Sequence, residues 1–305
     1  MGCFVHSSEI EFWAIKVNQL ALGTVQFGIP YGVANQQGLV SFEQVREILN
    51  TAQSSGVDTL DTAIAYGDSE HRLGEIGVSS WKVVSKLPPI PAETTKISTW
   101  VEQSIYGSLQ RLKTTQLYGL LLHRPEQLLS SQGDSLHQSL NLMKDRGLVK
   151  KIGVSIYSPT ELERLCDRFS FDLVQAPYNI LDRSLERSGW LSRLKHLGVE
   201  VHVRSVFLQG LLLMNPSSRP AYFARWQPFW QQWEQWLTDT QLTPLQACLG
   251  FVLANPDIDR IVVGVDSLGQ LQEILATAIG EPPLLPEALS CNDSDLINPS
   301  RWKLL

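Results

Sequence analysis

Asp61, Tyr66, Lys86 and His123 are the residues of this chain whose types and spacing could do chemistry together. Asp61 closes the run Val57-Asp58-Thr59-Leu60, Lys86 closes Lys82-Val83-Val84-Ser85, and His123 closes Tyr118-Gly119-Leu120-Leu121-Leu122. Tyr66 follows Asp61 by one short loop. Taken singly, each has an ordinary structural role. An Asp at a strand end caps or turns the chain, a Lys there is solvated, a loop Tyr packs with a wet hydroxyl, and a His hydrogen-bonds in the core. Taken together, they can make a phenol into a usable acid. A phenol ordinarily ionises near a pKa of about 10, and a neighbouring ammonium favours the phenolate. Lys86 supplies that charge, Asp61 holds Lys86 protonated, and His123 donates to a substrate oxygen or relays a proton. Such a set suits proton transfer to a carbonyl oxygen while another agent attacks the carbon. No Ser or Cys nucleophile pattern and no metal-spaced cluster stands out, so the simplest agent is hydride from a nicotinamide.

The elements that must position these residues alternate regularly. Apolar runs over 20–27, 57–62, 82–87, 118–123, 151–155, 173–176, 199–206 and 258–265 read as strands. Helical spacing follows most of them, over 42–53, from about 69, and over 99–112, 135–146, 159–169, 185–197 and 268–277, with a longer helix-rich insertion after the seventh strand. Near-continuous apolar strands fit a parallel sheet covered on both faces. Eight strand–helix units predict an α/β fold, a closed (β/α)8 TIM barrel in a single domain over 1–305, with the barrel over about 20–280 and a tail over 281–305. In that fold all four residues sit at the strands' C-terminal ends, where barrel enzymes place their chemistry. Trp226, Phe229, Trp230, Trp233, Trp236 and Leu237 share one helical face and read as packing, with an aromatic wall on the cleft as the alternative. The tail begins with Pro282, Pro283 and Pro286, which predicts a surface path, and Trp302 is placed to dock its tip.

With 43% hydrophobic and 18% charged residues, the 305-residue chain can bury a sizeable core. A net charge of −6 without a basic stripe argues against a nucleic-acid partner. No apolar stretch is long enough to span a bilayer. The start, Met1 to Ser7, lacks the features of a signal peptide and misses a myristoylation pattern at His6. Cys3, Cys166, Cys248 and Cys291 are scattered and read as free thiols. A soluble cytoplasmic protein that binds no metal is expected.

The chain resembles the aldo-keto reductases from about Leu20 to Thr277. The resemblance rests on Leu22-Gly23-Thr24, Asp61-Thr62-Ala63 with Tyr66-Gly67, Lys86, Leu122-His123, Gly153-Val154-Ser155, Gln175, Ser205 and Gln209-Gly210-Leu211-Leu212. It implies a nicotinamide cofactor across the C-terminal face and a catalytic tetrad of Asp61, Tyr66, Lys86 and His123, with Tyr66 as general acid–base. It further implies cofactor contacts from Gly23, Thr24, Ser155, Gln175, Ser205, Phe207, Gln209 and Gly264. The chain departs from the family at Ile156, where an Asn is common, and at Arg204, where a tyrosine commonly stacks on the nicotinamide. A planar guanidinium can stack there or reach a phosphate or substrate carboxylate. At the adenosine end, Asp266 and Gln270 stand where the family presents basic residues, beside Ser267. NADPH is expected on family grounds, with NADH as rival because an acidic residue can accept from ribose hydroxyls; capping the last helix is the bland role for Asp266 and Ser267.

Gln26, Phe27 and Tyr31 from the first strand–helix loop, with Tyr178 and Asn179 after the sixth strand, are candidates for the substrate cleft. Arg124 is another, although solvation is its commoner role. The substrate is expected to be a small carbonyl compound or alcohol. Two competing readings are a cofactor-binding regulatory or redox-sensing barrel without turnover, and a Schiff-base enzyme built on Lys86, which Asp61 argues against.

Overall fold

The computed structural model describes residues 17–277 and 285–302. Eight parallel strands close into a barrel in sequential order. They are β1 (Leu20–Gly23), β2 (Thr59–Asp61), β3 (Lys82–Leu87), β4 (Leu117–Leu122), β5 (Val149–Ser155), β6 (Leu173–Pro177), β7 (Glu200–Arg204) and β8 (Arg260–Gly264). Closure pairs Leu22 with Val263 and Gly23 with Gly264. The outer helices are α1 (Phe42–Ser54), α2 (Ser69–Ile76), α3 (Ile97–Leu112), α4 (Gly133–Asp145), α5 (Pro159–Cys166), α6 (Trp190–His196), α7 (Gln227–Thr240), α8 (Pro244–Leu253) and α9 (Leu268–Thr277).

Local signals set these elements. In α1, Ser41 accepts from the Gln44 N–H, and Val45, Ile48, Leu49 and Ala52 turn inward at helical spacing. Reciprocal Ser158–Glu161 and Thr243–Gln246 capping boxes, each followed by Pro, start α5 and α8. The first strand is shorter than the expected 20–27. Thr24 turns its hydroxyl onto the Asp61 carbonyl at 3.0 Å, and the chain enters a 3-10 turn over Val25–Phe27. The helix expected over 185–197 is split into a single turn, Ser184–Arg187, and α6, because Gly189 adopts a left-handed φ of 77°.

Side chains alternate across each strand, so residues two apart share a face. Val84, Leu121 and Leu173 form a small apolar cluster separate from the main core. Each lies two residues before Lys86, His123 and Gln175 respectively, so the cluster forms an apolar layer beneath a polar one inside the barrel. The main core lies between strands and helices. Trp230 and Trp233 are buried within it, which bears out the packing role of the α7 face. Trp302 packs edge-on against Phe223 and donates to the Leu296 carbonyl at 3.0 Å, so the described tail docks by its aromatic. The readings of Met1–Ser7, Cys3 and Pro282-Pro283 fall outside the described residues. Cys166, Cys248 and Cys291 are free, and no helix among the described residues is long and apolar enough to cross a membrane.

A buried carboxylate ties the elements that carry the candidate site. Glu70 on α2 accepts from Ser85 of β3 and Ser108 of α3, both at 2.6 Å, and from Arg111 Nε at 2.9 Å. Ser69, its neighbour, donates to the Thr24 carbonyl at 2.9 Å. Removing Glu70 strands three donors. Glu70→Ala should lower stability by about 2–3 kcal/mol, below the value for a fully buried pair because Arg111 is partly exposed; denaturant titration checks this.

Candidate active site

The C-terminal end of the barrel opens into a cleft of about 740 Å³, lined in part by Asp61, Tyr66, Lys86 and His123. Lys86 is 1% exposed, and its Nζ donates to Asp61 Oδ1 at 2.6 Å and to the Thr62 carbonyl at 3.0 Å. Gln175 Nε2 donates to Asp61 Oδ2 at 2.6 Å, so both carboxylate oxygens are engaged. Burial works against the Lys86 charge, yet Asp61 and Tyr66 outweigh it and raise the pKa above the usual amine value. A Lys held this firmly as an ammonium is a poor imine-forming nucleophile.

Tyr66 stands over this pair. Its ring centroid lies 5.0 Å from Lys86 Nζ and 6.1 Å from the His123 ring, which it meets edge-on. The Tyr66 loop is fixed by a turn from its N–H to the Ala63 carbonyl and by the Ser69 N–H, which donates to the Tyr66 carbonyl. Gly28 lets the β1 loop touch it: a Cβ there would lie 1.8 Å from the Tyr66 carbonyl oxygen. Burial, followed by the Lys86 ammonium and the Arg204 guanidinium, pushes the His123 imidazole from 6.5 down to about 4. It is therefore neutral at physiological pH and can offer one N–H without carrying charge.

The aldo/keto reductase family matches over residues 19–282. The chain belongs to that family, whose members are NAD(P)H-dependent oxidoreductases. It is 27% identical over 217 residues to oxidoreductase sirO of Leptosphaeria maculans, covering 68% of this chain and 65% of that protein, so it spans under two thirds of that relative. It is 23% identical over 309 residues to the NADH-specific methylglyoxal reductase of Escherichia coli (strain K12), covering 86% and 90%. An aldo-keto reductase of Bacillus halodurans in its holo form shares the fold with a TM-score of 0.70 at 18% identity, covering 90% of this chain and 94% of that one.

The cleft of this aldo/keto reductase has features that fit a nicotinamide dinucleotide. Ser155 Oγ faces Gln175 Oε1 at 3.3 Å on the cleft floor. Gln26 lines the cleft with a buried Oε1 that has no partner. It sits against Gly264, where a Cβ would come within 2.4 Å of its amide. After β7, Ser205, Leu208, Gln209 and Gly210 all take positive φ (60°, 49°, 55° and 85°). Such backbone is costly for side-chain-bearing residues and points to function. Among the described residues, the N–H groups of Val206, Phe207, Gln209 and Gly210 donate to no internal acceptor. Successive free N–H groups of this kind make an anion-binding concavity. Thr24 and Gly23 complete the β1 side of the cleft.

Arg204 lines the cleft with Nη2 on the Ile156 carbonyl at 2.9 Å, Nη1 on Ser205 Oγ at 3.2 Å, and its guanidinium 4.7 Å from the Tyr157 ring centroid. Tyr31 lines it too, its hydroxyl accepting from Gln209 Nε2 at 3.0 Å across the cleft. Phe207, Gln209, Asp266 and Gln270 are also lining residues. Five expected site residues are not. Phe27 is fully buried, because the 3-10 turn after β1 rotates it into the core. Tyr178 is 1% exposed, stacks on Phe251 and gives its hydroxyl to Glu186. Ser267 spends its hydroxyl on the Gln270 N–H at 3.3 Å. Asn179 is buried beneath the cleft and donates to the Ser205 carbonyl, bracing the β7 loop, while Arg124 is exposed beside Glu126. Sequence reading missed Tyr157, Asn35 and Glu273, all cleft-lining. Tyr157 lies two residues after Ser155 and Glu273 one turn after Gln270, so strand and helix periods could have found both.

The lowered His123 pKa gives a checkable titration. NMR of the imidazole should show a midpoint near pH 4, moving up when Lys86→Met removes one of the repelling charges. Below 6.5 the unfolded chain protonates this group while the fold resists until about 4, so this site costs stability as pH falls through that window.

Proposed function

We propose that this chain interconverts a small aldehyde or ketone and its alcohol, with Tyr66 exchanging the proton at the substrate oxygen. The observation that carries the reading is the buried Asp61–Lys86 pair beneath the Tyr66 ring. A nicotinamide dinucleotide, when bound, supplies the two-electron reductant. The Ser155 hydroxyl and Gln175 amide would hold its carboxamide, and Gly23, Thr24, Gln26 and Gly264 would approach its ribose. The free N–H groups around Ser205, Phe207 and Gln209 would take the diphosphate, and Asp266 and Gln270 the far nucleoside.

In the reductive direction Tyr66 gives its hydroxyl proton to the oxygen of the reacting carbonyl. Negative charge then develops on the phenolic oxygen, and the Lys86 ammonium, aimed at that ring, stabilises it. Asp61 keeps Lys86 charged and fixed in place. Neutral His123 donates an N–H to the same substrate oxygen, which orients the carbonyl without competing as an acid. Ile29, Tyr31, Ala65 and Tyr157 supply a mixed apolar and aromatic wall, suited to a small organic substrate rather than a charged polymer.

Nicotinamide absorbance followed against a panel of aldehydes, ketones and sugars tests the proposal. Tyr66→Phe should lower turnover by roughly 10²–10⁴-fold, the usual worth of a general acid, while dinucleotide affinity stays within about twofold. Full turnover by Tyr66→Phe would remove Tyr66 from the proposed role.

A further inference from the structure

The far end of the cleft, between β8 and α9, has a charge pattern of its own. Its lining includes Asn35, Asp266, Gln270 and Glu273. Asp266 is half-buried, and Asn35 Nδ2 donates to its Oδ1 at 3.1 Å. Its second oxygen has no partner among the described residues. Glu273 sits one turn beyond Gln270 on the same helical face. The lining residues that carry a Lys or Arg charge are Lys86 and Arg204. Lys86 is bound to Asp61, and Arg204 is turned to Ile156 and Tyr157 on the β5 side. Neither neutralises the two carboxylates.

The backbone here is partly committed to internal bonds. A helix start normally offers free N–H groups. At α9 the Gln270 side chain accepts the Asp266 N–H at 2.7 Å, Ser267 Oγ accepts the Gln270 N–H at 3.3 Å, and the Ser267 carbonyl accepts the Leu271 N–H at 3.3 Å. These three donors are used internally, while the Ser267, Leu268 and Gly269 N–H groups have no acceptor among the described residues, so the charge pattern and not the backbone distinguishes this end.

We propose that this end of the cleft selects the dinucleotide without a 2′-phosphate, NADH over NADPH, and that Asp266 and Glu273 set the choice. The inference rests on the proposed function and runs against the NADPH expectation. The open Asp266 oxygen is an acceptor for ribose hydroxyls. A 2′-phosphate would place like charge against two carboxylates, with no Lys or Arg among the lining residues at this end of the cleft to offset it.

Equilibrium titration of the purified protein with NADH and with NADPH, read by tryptophan quenching or calorimetry, decides the matter without any substrate. NADH should bind at least about tenfold more tightly at low salt, or about 1.4 kcal/mol, with the ratio shrinking as salt screens the repulsion. Asp266→Asn combined with Glu273→Gln should narrow the ratio, and Asp266→Lys should invert it. Glu273→Gln alone keeps the test open if changes at Asp266 impair folding. Equal or tighter NADPH binding by the unaltered protein overturns the inference. A ratio unmoved by the variants or by salt overturns its assignment to these carboxylates. If neither nucleotide binds, it is the proposed function that fails.

Discussion

The ion pair between Asp61 and Lys86 is the constraint around which the upper barrel is arranged. Two nearly inaccessible charges are costly to desolvate, and their mutual attraction offsets this only when the remaining hydrogen-bonding capacity is also satisfied. Here it is: the second Asp61 oxygen is taken by Gln175, and Lys86 reaches the Thr62 carbonyl. Asp61 and Lys86 come from the paired strands β2 and β3 and Gln175 from β6, so it is the full set of bonds around the pair that needs the closed barrel. Replacing a buried ion pair with well-packed apolar residues is often neutral or stabilising for a fold. Its retention makes sense as a fixed cation presented to the Tyr66 ring.

That ring is held from outside the barrel. Gly28 permits the contact between the β1 loop and the Tyr66 loop. Ser69 binds back to Thr24, and Glu70 links α2 to β3 and α3. Positioning therefore passes through short, mostly buried hydrogen bonds between adjacent elements rather than through the long loops. Val84, Leu121 and Leu173 lie between the site and Glu200 at the polar lower end, which buried His202 bonds from the level of that layer. The charges above and below it are thus kept in separate networks.

The strand–helix alternation and the positions of Asp61, Lys86 and His123 were legible because strand ends are where an apolar run stops, a local property of the sequence. The errors arose where one residue decides the backbone. A run that continues apolar through Val25 and Phe27 looks like strand, yet the Thr24 bond to Asp61 turns it, and Phe27 goes to the core. Tyr178 follows a strand end and so resembled a cleft residue, but its hydroxyl is used by Glu186 on the next helical turn. Pairings between residues distant in the chain, such as Asn35 with Asp266 or Tyr31 with Gln209, leave no trace in local pattern. Ser267 could be read either as a ligand contact or as a cap, and the spacing to Gln270 supports the cap.

The two ends of the cleft use opposite strategies toward negative charge. After β7 the chain accepts left-handed backbone at Ser205, Leu208 and Gln209, conformations that cost on the order of 1 kcal/mol each, and the N–H groups of Val206, Phe207, Gln209 and Gly210 are left free. After β8 no such strain is present, the Asp266 and Gln270 N–H groups are taken by nearby side chains, and the side chains facing the cleft there carry negative charge. If helix capping were the only requirement at α9, Asp266 could be any residue, since it is the Asp266 N–H and not its carboxylate that Gln270 binds. The carboxylate instead turns to Asn35, whose own Oδ1 organises the turn through the Gln37 and Gly38 N–H groups. Asn35 thus carries a second task besides shaping its loop, and that task is to orient an acid in the cleft.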